Sequence, residues 1–228
     1  MKKSIAVLLM YFVSLSLIHS QNNLCGGALP FCTDTVYDFP AGVNAGSGQS
    51  GPNYGCLSTT PNPAWYYMEV LNPGNIVIYM SSTPSVDIDF ALWGPFSDPT
   101  SPCVAQLTAN CGGIFNSCPN NTSNPNFYPS GNLVDCSYST SWNETAHIIG
   151  AQTGEVYILL ITNFSNQPCN INFLQQNAGQ PGAGSTNCGI LAPPVDNNGP
   201  LCEGATLNLI AQAGPTGCSY SWTGPNNF

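Results

Sequence analysis

Beyond its first three residues, this chain of 228 contains neither lysine nor arginine. Lys2 and Lys3 are its whole basic complement, against 11 acidic residues and a formal net charge of −9. A surface without cations cannot neutralise phosphates, which excludes nucleic-acid binding and phosphate-cradling chemistry. Attraction to anionic lipid is excluded on the same ground. The sequence also lacks a C-x-x-C pair, a G-x-S-x-G elbow and any apolar run of the roughly 18 residues that a membrane-spanning helix needs. Charged residues of all kinds make up only 6% of the chain. The 43% hydrophobic content, with ten Tyr, ten Phe and four Trp, nevertheless separates it from disordered sequences, which are poor in aromatics.

Residues 1–20 read as a secretory signal peptide: Lys2 and Lys3, an apolar run over 5–17, and the small Ser20 before Gln21. Removing the two lysines with this segment takes the formal charge from −9 to −11. All 11 cysteines follow it, and an exported chain meets an oxidising compartment. Cys25 and Cys32, like Cys111 and Cys118, are seven apart, which is not the spacing of structural zinc sites, so disulfides are the expected state. Chain order suggests the pairs Cys32–Cys56, Cys111–Cys118, Cys25–Cys188 and Cys103–Cys136. Cys169, Cys202 and Cys218 are left over.

Short β-branched and aromatic runs separated by Gly, Pro and Asn predict an all-β fold, an antiparallel β-sandwich of jelly-roll type with long loops pinned by disulfides. Strands are predicted over 35–39, 64–70, 76–80, 86–93, 155–162 and 170–175. The turn Asn72-Pro73-Gly74-Asn75 predicts a hairpin between the second and third of these, because Pro presets one turn dihedral and Gly supplies a positive φ. Gly94-Pro95 is expected to stop the fourth. The segment 97–141, rich in Pro, Asn and Ser, reads as one long loop. A Gly-, Pro- and Ala-rich stretch over 177–185 divides a first domain, 21–190, from a second, 191–228. The second holds too few strands to bury a core and is expected to be a fragment.

The strand-and-turn motifs, in their order, carry a resemblance. Asn62-Pro63-Ala64-Trp65-Tyr66-Tyr67, Asn72-Pro73-Gly74-Asn75, Asp87-Ile88-Asp89-Phe90 with Trp93-Gly94-Pro95-Phe96, and the run from Gly154 to Ser165 together resemble the pre-peptidase C-terminal-like β-sandwich. The closest variant is the one found at the front of large surface proteins of gliding bacteria. An insertion over 111–129 departs from that pattern. Asn197 to Leu207, followed by Tyr220-Ser221-Trp222-Thr223-Gly224-Pro225, resembles the opening of an immunoglobulin-like or polycystic-kidney-disease-like repeat. The resemblance implies a cell-surface protein, further repeats and export by the type nine secretion system. It also implies that Cys202 pairs beyond Phe228, leaving it unpaired in this chain.

Candidate chemistry is sparse. After residue 20 the only histidine is His147, in the strand-like stretch Thr145-Ala146-His147-Ile148-Ile149, where it reads as an edge or surface residue rather than a catalytic base. Asp87 and Asp89 share one face of their strand, a poor geometry for attack on a glycoside from opposite sides. They are the one candidate calcium pair, against a solvated outer sheet face, and two carboxylates alone cannot supply the six or more oxygens calcium takes. No other cofactor is expected. Trp65 and Tyr67, on a common face, are a candidate stacking platform for sugar, against burial in the core. N-x-[ST] sequons begin at Asn120, Asn121, Asn143 and Asn163, and Asp34-Thr35-Val36 resembles a short O-glycosylation motif. The functional expectation is a secreted, non-catalytic surface protein that binds or adheres through its first domain to a surface ligand, a glycan among the candidates. The alternatives are a carbohydrate-binding module, or an accessory or targeting domain of a secreted hydrolase whose catalytic part lies elsewhere.

Overall fold

The computed structural model describes residues 23–32, 36–109, 118, 120–121, 131–191, 195–197 and 208–211. The leader over 1–20, most of the insertion over 111–129, and Cys111, Cys202, Cys218 and Trp222 lie outside the described residues. The strands are β1 (Leu29–Pro30), β2 (Tyr37–Pro40), β3 (Pro63–Asn72), β4 (Gly74–Thr83), β5 (Ile88–Phe96), β6 (Leu133–Ser137), β7 (Asn143–Ala151), β8 (Val156–Asn163), β9 (Asn170–Gln175) and β10 (Ser185–Thr186). Beyond them β11 (Val195–Asn197) pairs with β12 (Leu209–Ala211).

Two sheets result. The larger runs β1-β3-β8-β5-β6, with β10 also on β3, and the smaller runs β2-β9-β4-β7. Every pairing is antiparallel except the short parallel match of β1 with β3. The sheets pack face to face, as the all-β sandwich expectation required. Tyr66, Met68 and Val70 of β3 and Ile88, Phe90 and Leu92 of β5 meet Ile76, Ile78 and Met80 of β4. At the centre Phe173 of β9 lies 5.0 Å from both Phe31 and Tyr66 and 5.1 Å from Tyr37, between ring centroids.

The larger sheet is buried on its other face as well. Trp65, Ala91, Trp93, Ile158 and Leu160 point away from the smaller sheet and lie beneath a layer of loops contributed by Cys25, Tyr54, Cys56, Leu57, Leu107 and Cys118. Hence all eight residues of β8 are buried, matching an unbroken run, Val-Tyr-Ile-Leu-Leu-Ile-Thr-Asn, in which neither face is polar until the end.

Disulfides tie this loop layer down, and they do not follow chain order. They are Cys25–Cys103, Cys32–Cys188 and Cys56–Cys136. The expected pairs Cys32–Cys56, Cys25–Cys188 and Cys103–Cys136 are therefore corrected. The reason is sheet order. Phe31 and Asn187 both donate backbone hydrogen bonds to the same edge of β3, at Tyr67 and Glu69, and so bring Cys32 beside Cys188. The Gln49 amide accepts from the Cys25 N–H and donates to the Cys103 carbonyl, holding those two segments together. Cys136 of β6 faces the loop layer, where Cys56 lies. Cys118 is also disulfide-bonded. Cys169 is a buried free thiol.

Three local expectations change. The turn at Pro73 exists, but β3 and β4 belong to different sheets, so the chain makes an arch rather than a hairpin. Only Pro73 separates the two strands, too little for a two-residue hairpin loop. Gly74 has φ 145°, and a Cβ there would stand 2.5 Å from the Gly184 nitrogen, so the crossing requires glycine. Gly94-Pro95 does not end β5: the strand shifts register there and resumes its pairing with β8 at Phe96. The supposed loop 97–141 contains a short helix, Pro102–Ala105, and the strand β6.

Candidate functional site

The loop layer leaves one open groove of about 590 Å³ over the segment 49–60. Its floor is apolar, from Pro52, Tyr54 and Leu57, and its rim is Ser50, Ser58 and Thr59. The walls are fixed from within. The Tyr54 hydroxyl donates to the Gln49 carbonyl at 2.7 Å, the Gly48 N–H donates to Thr60 Oγ1 at 3.1 Å, and the Asn53 amide binds the Gly55 N–H and the Ala109 carbonyl. A Cβ on Gly48 would meet Tyr54 Oη and Thr60 Oγ1 at 2.7 Å, so this wall closes only around glycine. At the groove's end Thr59 Oγ1 and the Tyr138 hydroxyl are hydrogen-bonded at 3.2 Å, and Tyr138 meets Phe164 edge to face at 5.4 Å. Phe164 keeps 37% of its surface exposed.

Next to Tyr138 the chain enters an acidic corner where β5, β6 and β7 converge. The Ser139 N–H donates to Asp89 Oδ1 at 3.1 Å, while Asp89 Oδ2 is buried with no hydrogen-bond partner. Asp89 is 2% exposed, which overturns the reading of its strand face as solvated: that face lies under the loop layer. Burial pushes its carboxyl up to about 8, helped by the charges of Asp87 and Glu144 and opposed by the Ser139 N–H. Glu144 of β7 is likewise buried, with one unpartnered oxygen. Desolvation pushes it to about 7, with the Ser137 hydrogen bond opposing and Asp87 and Asp135 adding. Burial also raises Asp87. No lysine or arginine follows residue 3, so no such side chain of the mature chain can compensate these acids.

Asp135 of β6 is the opposite case. Its Oδ1 accepts from the Cys136 N–H at 2.8 Å, and its Oδ2 from the His147 N–H at 2.8 Å and the Asn121 amide at 3.3 Å. His147 Nδ1 lies 3.2 Å from the same oxygen. Asn121 also donates to the Thr145 carbonyl at 2.7 Å, so side chains occupy the outer edge of β7 at both 145 and 147. His147 is 40% exposed on this edge strand. An oriented imidazole is half of a nucleophilic dyad, but among the described residues no hydroxyl or thiol is hydrogen-bonded to the ring.

Two site expectations move. Trp65 is fully buried, its ring stacked 5.7 Å from Trp93 and 6.2 Å from Tyr54, and half-buried Tyr67 packs on the same cluster. Neither forms an open platform, because the face they share is roofed by loops. Among the described residues no group of three or more His, Cys, Asp or Glu side chains is arranged to hold a metal ion, so the calcium reading rests on Asp87 and Asp89 alone. Sequence reasoning did not single out Tyr138 and Phe164, Asp135 or Glu144. A signal existed for Glu144, which shares the apolar phase of Ala146 and Ile148 along β7.

No protein-family model matches the chain, and no curated protein matches it. Among solved structures it is similar to the pre-peptidase C-terminal domain of a collagenase from Bacillus anthracis, with a TM-score of 0.38 and 12% identity over 67% of this chain and 98% of that one. It is also similar to CorA, a surface-associated copper-binding protein of Methylomicrobium album BG8, with a TM-score of 0.36 and 7% identity over 66% of this chain and 98% of that one. Scores this low carry no inference about a ligand.

Proposed function

We propose that this is a secreted, non-catalytic cell-surface protein that binds or adheres through its N-terminal sandwich, with immunoglobulin-like repeats as spacers. The observation that carries the reading is the loop layer. Three described disulfides hold a rigid groove above a sheet already buried on both faces, an arrangement that presents a surface and places no base beside a nucleophile. Bridges of this kind belong to oxidising compartments, which supports an extracellular or surface location. Among the described residues no helix is long and apolar enough to cross a membrane. The test is localisation in the native host. Antibody against the sandwich is expected to label intact cells, with the label lost after external protease. Recovery of the protein only from the cytoplasm, with its cysteines reduced, would overturn the proposal.

A further inference from the structure

We infer that the groove over residues 49–60, closed at one end by Tyr138 and Phe164, is a binding site for a neutral oligosaccharide. This deepens the surface-binding reading and rests on it. The volume of about 590 Å³ falls within the range of small-ligand pockets, roughly 300–1,000 Å³. No residue lining the groove is charged, so neither an anionic nor a cationic ligand would find a counter-charge in it. The chain as a whole also repels anions, for it has no basic residue after Lys3. What remains is an apolar floor with hydroxyls on its rim and a partly exposed phenyl ring at its end. Sugar rings present that combination in reverse: an apolar C–H face to stack on an aromatic ring, and hydroxyls around the perimeter.

The groove is also preorganised. The Gln49 and Asn53 amides are already bonded to loop backbone, the Cys25–Cys103 and Cys56–Cys136 bridges hold the layer, and Gly48 packs without room for a methyl group. A rigid wall lowers the ordering penalty that a weakly binding, polar ligand must overcome. A second open groove, between Phe96 and Glu155, fits less well, because Glu155 lines it and its one aromatic ring, Phe96, is buried.

The test uses the whole secreted chain and titration calorimetry with hexasaccharides of β-linked glucose, xylose and mannose, against oligogalacturonate as the anionic probe and chitosan hexamer as the cationic one. At least one neutral hexamer is expected to bind and both charged probes to fail. Phe164→Ala, which removes the exposed ring, should weaken binding about tenfold or more. Since Phe164 also packs on Tyr138, a second variant separates binding from folding. Ser50→Trp fills the groove from an exposed position and should abolish binding with the melting temperature unchanged. Ile149→Ala, exposed on β7, should bind as the parent does. The inference is overturned if no neutral hexamer binds at roughly 10 mM, if only a charged probe binds, or if Ser50→Trp binds normally. Cell-surface labelling is read independently, so surface exposure without neutral-glycan binding would sink this site and leave the broader proposal standing.

Discussion

The two cores on either side of the larger sheet are built by different means. Between the sheets, strand alternation alone supplies the packing: Phe31, Tyr37, Phe39 and Tyr66 surround Phe173, and none of the described disulfides joins the two sheets. Under the loops, irregular segments cannot offer a periodic apolar face, and Cys25, Cys56, Cys118 and Cys136 belong to the core itself. The difference teaches that covalent closure substitutes for secondary structure where a chain must bury Trp65 and Trp93 beneath loops.

The sharpest way to break the comparison is to open the loop layer. The Cys56–Cys136 bridge closes a span of 80 residues, so the double variant Cys56→Ala/Cys136→Ala should lose about 4.5 kcal/mol in the chain-entropy account. Because Trp65 and Trp93 lie only in this layer, tryptophan emission should shift to the red before far-ultraviolet dichroism is lost. Coincident transitions would show that the two cores are one cooperative unit. On the other side, Phe173→Ala should remove about 3–5 kcal/mol, with hydrogen exchange rising first in β4 and β9 and the tryptophan signal following global unfolding.

A smaller effect probes the corner where the cores meet. Asp89 and Glu144 have carboxyls raised in the folded state, to about 8 and about 7. The folded protein therefore holds protons that the unfolded chain releases near pH 4. Stability should be highest at the acid end and fall as pH rises through 7 and 8. Asp89→Asn keeps the acceptor for Ser139 and removes the charge. It should match the parent near pH 5 and exceed it by roughly 2 kcal/mol at pH 9 by urea denaturation. Equal stability of the two proteins at pH 9 would show that Asp89 ionises without penalty. The smallest effect belongs to His147→Ala, expected within about 0.5 kcal/mol because the ring is partly exposed and Asp135 keeps its other donors.

Period-two alternation made β3, β5, β8 and β9 legible to within about two residues at most ends, and with them the sandwich. It could also separate Trp65 and Tyr67 from Tyr66 and Met68. What alternation does not state is whether a second face meets water or another layer. Large aromatics on both faces of β3, and the unbroken apolar run of β8, were the physical hint that it meets a layer. Disulfide pairing was illegible for a related reason: Cys32 and Cys188 are joined by their common neighbour β3, and sheet order is not written in local sequence. The groove was hidden because its aromatic end comes from residues 138 and 164, each unremarkable in its own segment.

The side chains on the outer edge of β7 have a consequence for crowding. An uncovered edge strand is a template on which another extended chain can polymerise. Here Asp135 takes the His147 N–H and Asn121 takes the Thr145 carbonyl, while the Asn121 N–H takes the Cys136 carbonyl of β6. Packed densely on a cell, copies of this domain cannot zip together along that flank into cross-β aggregates, and any lattice they form must be joined elsewhere.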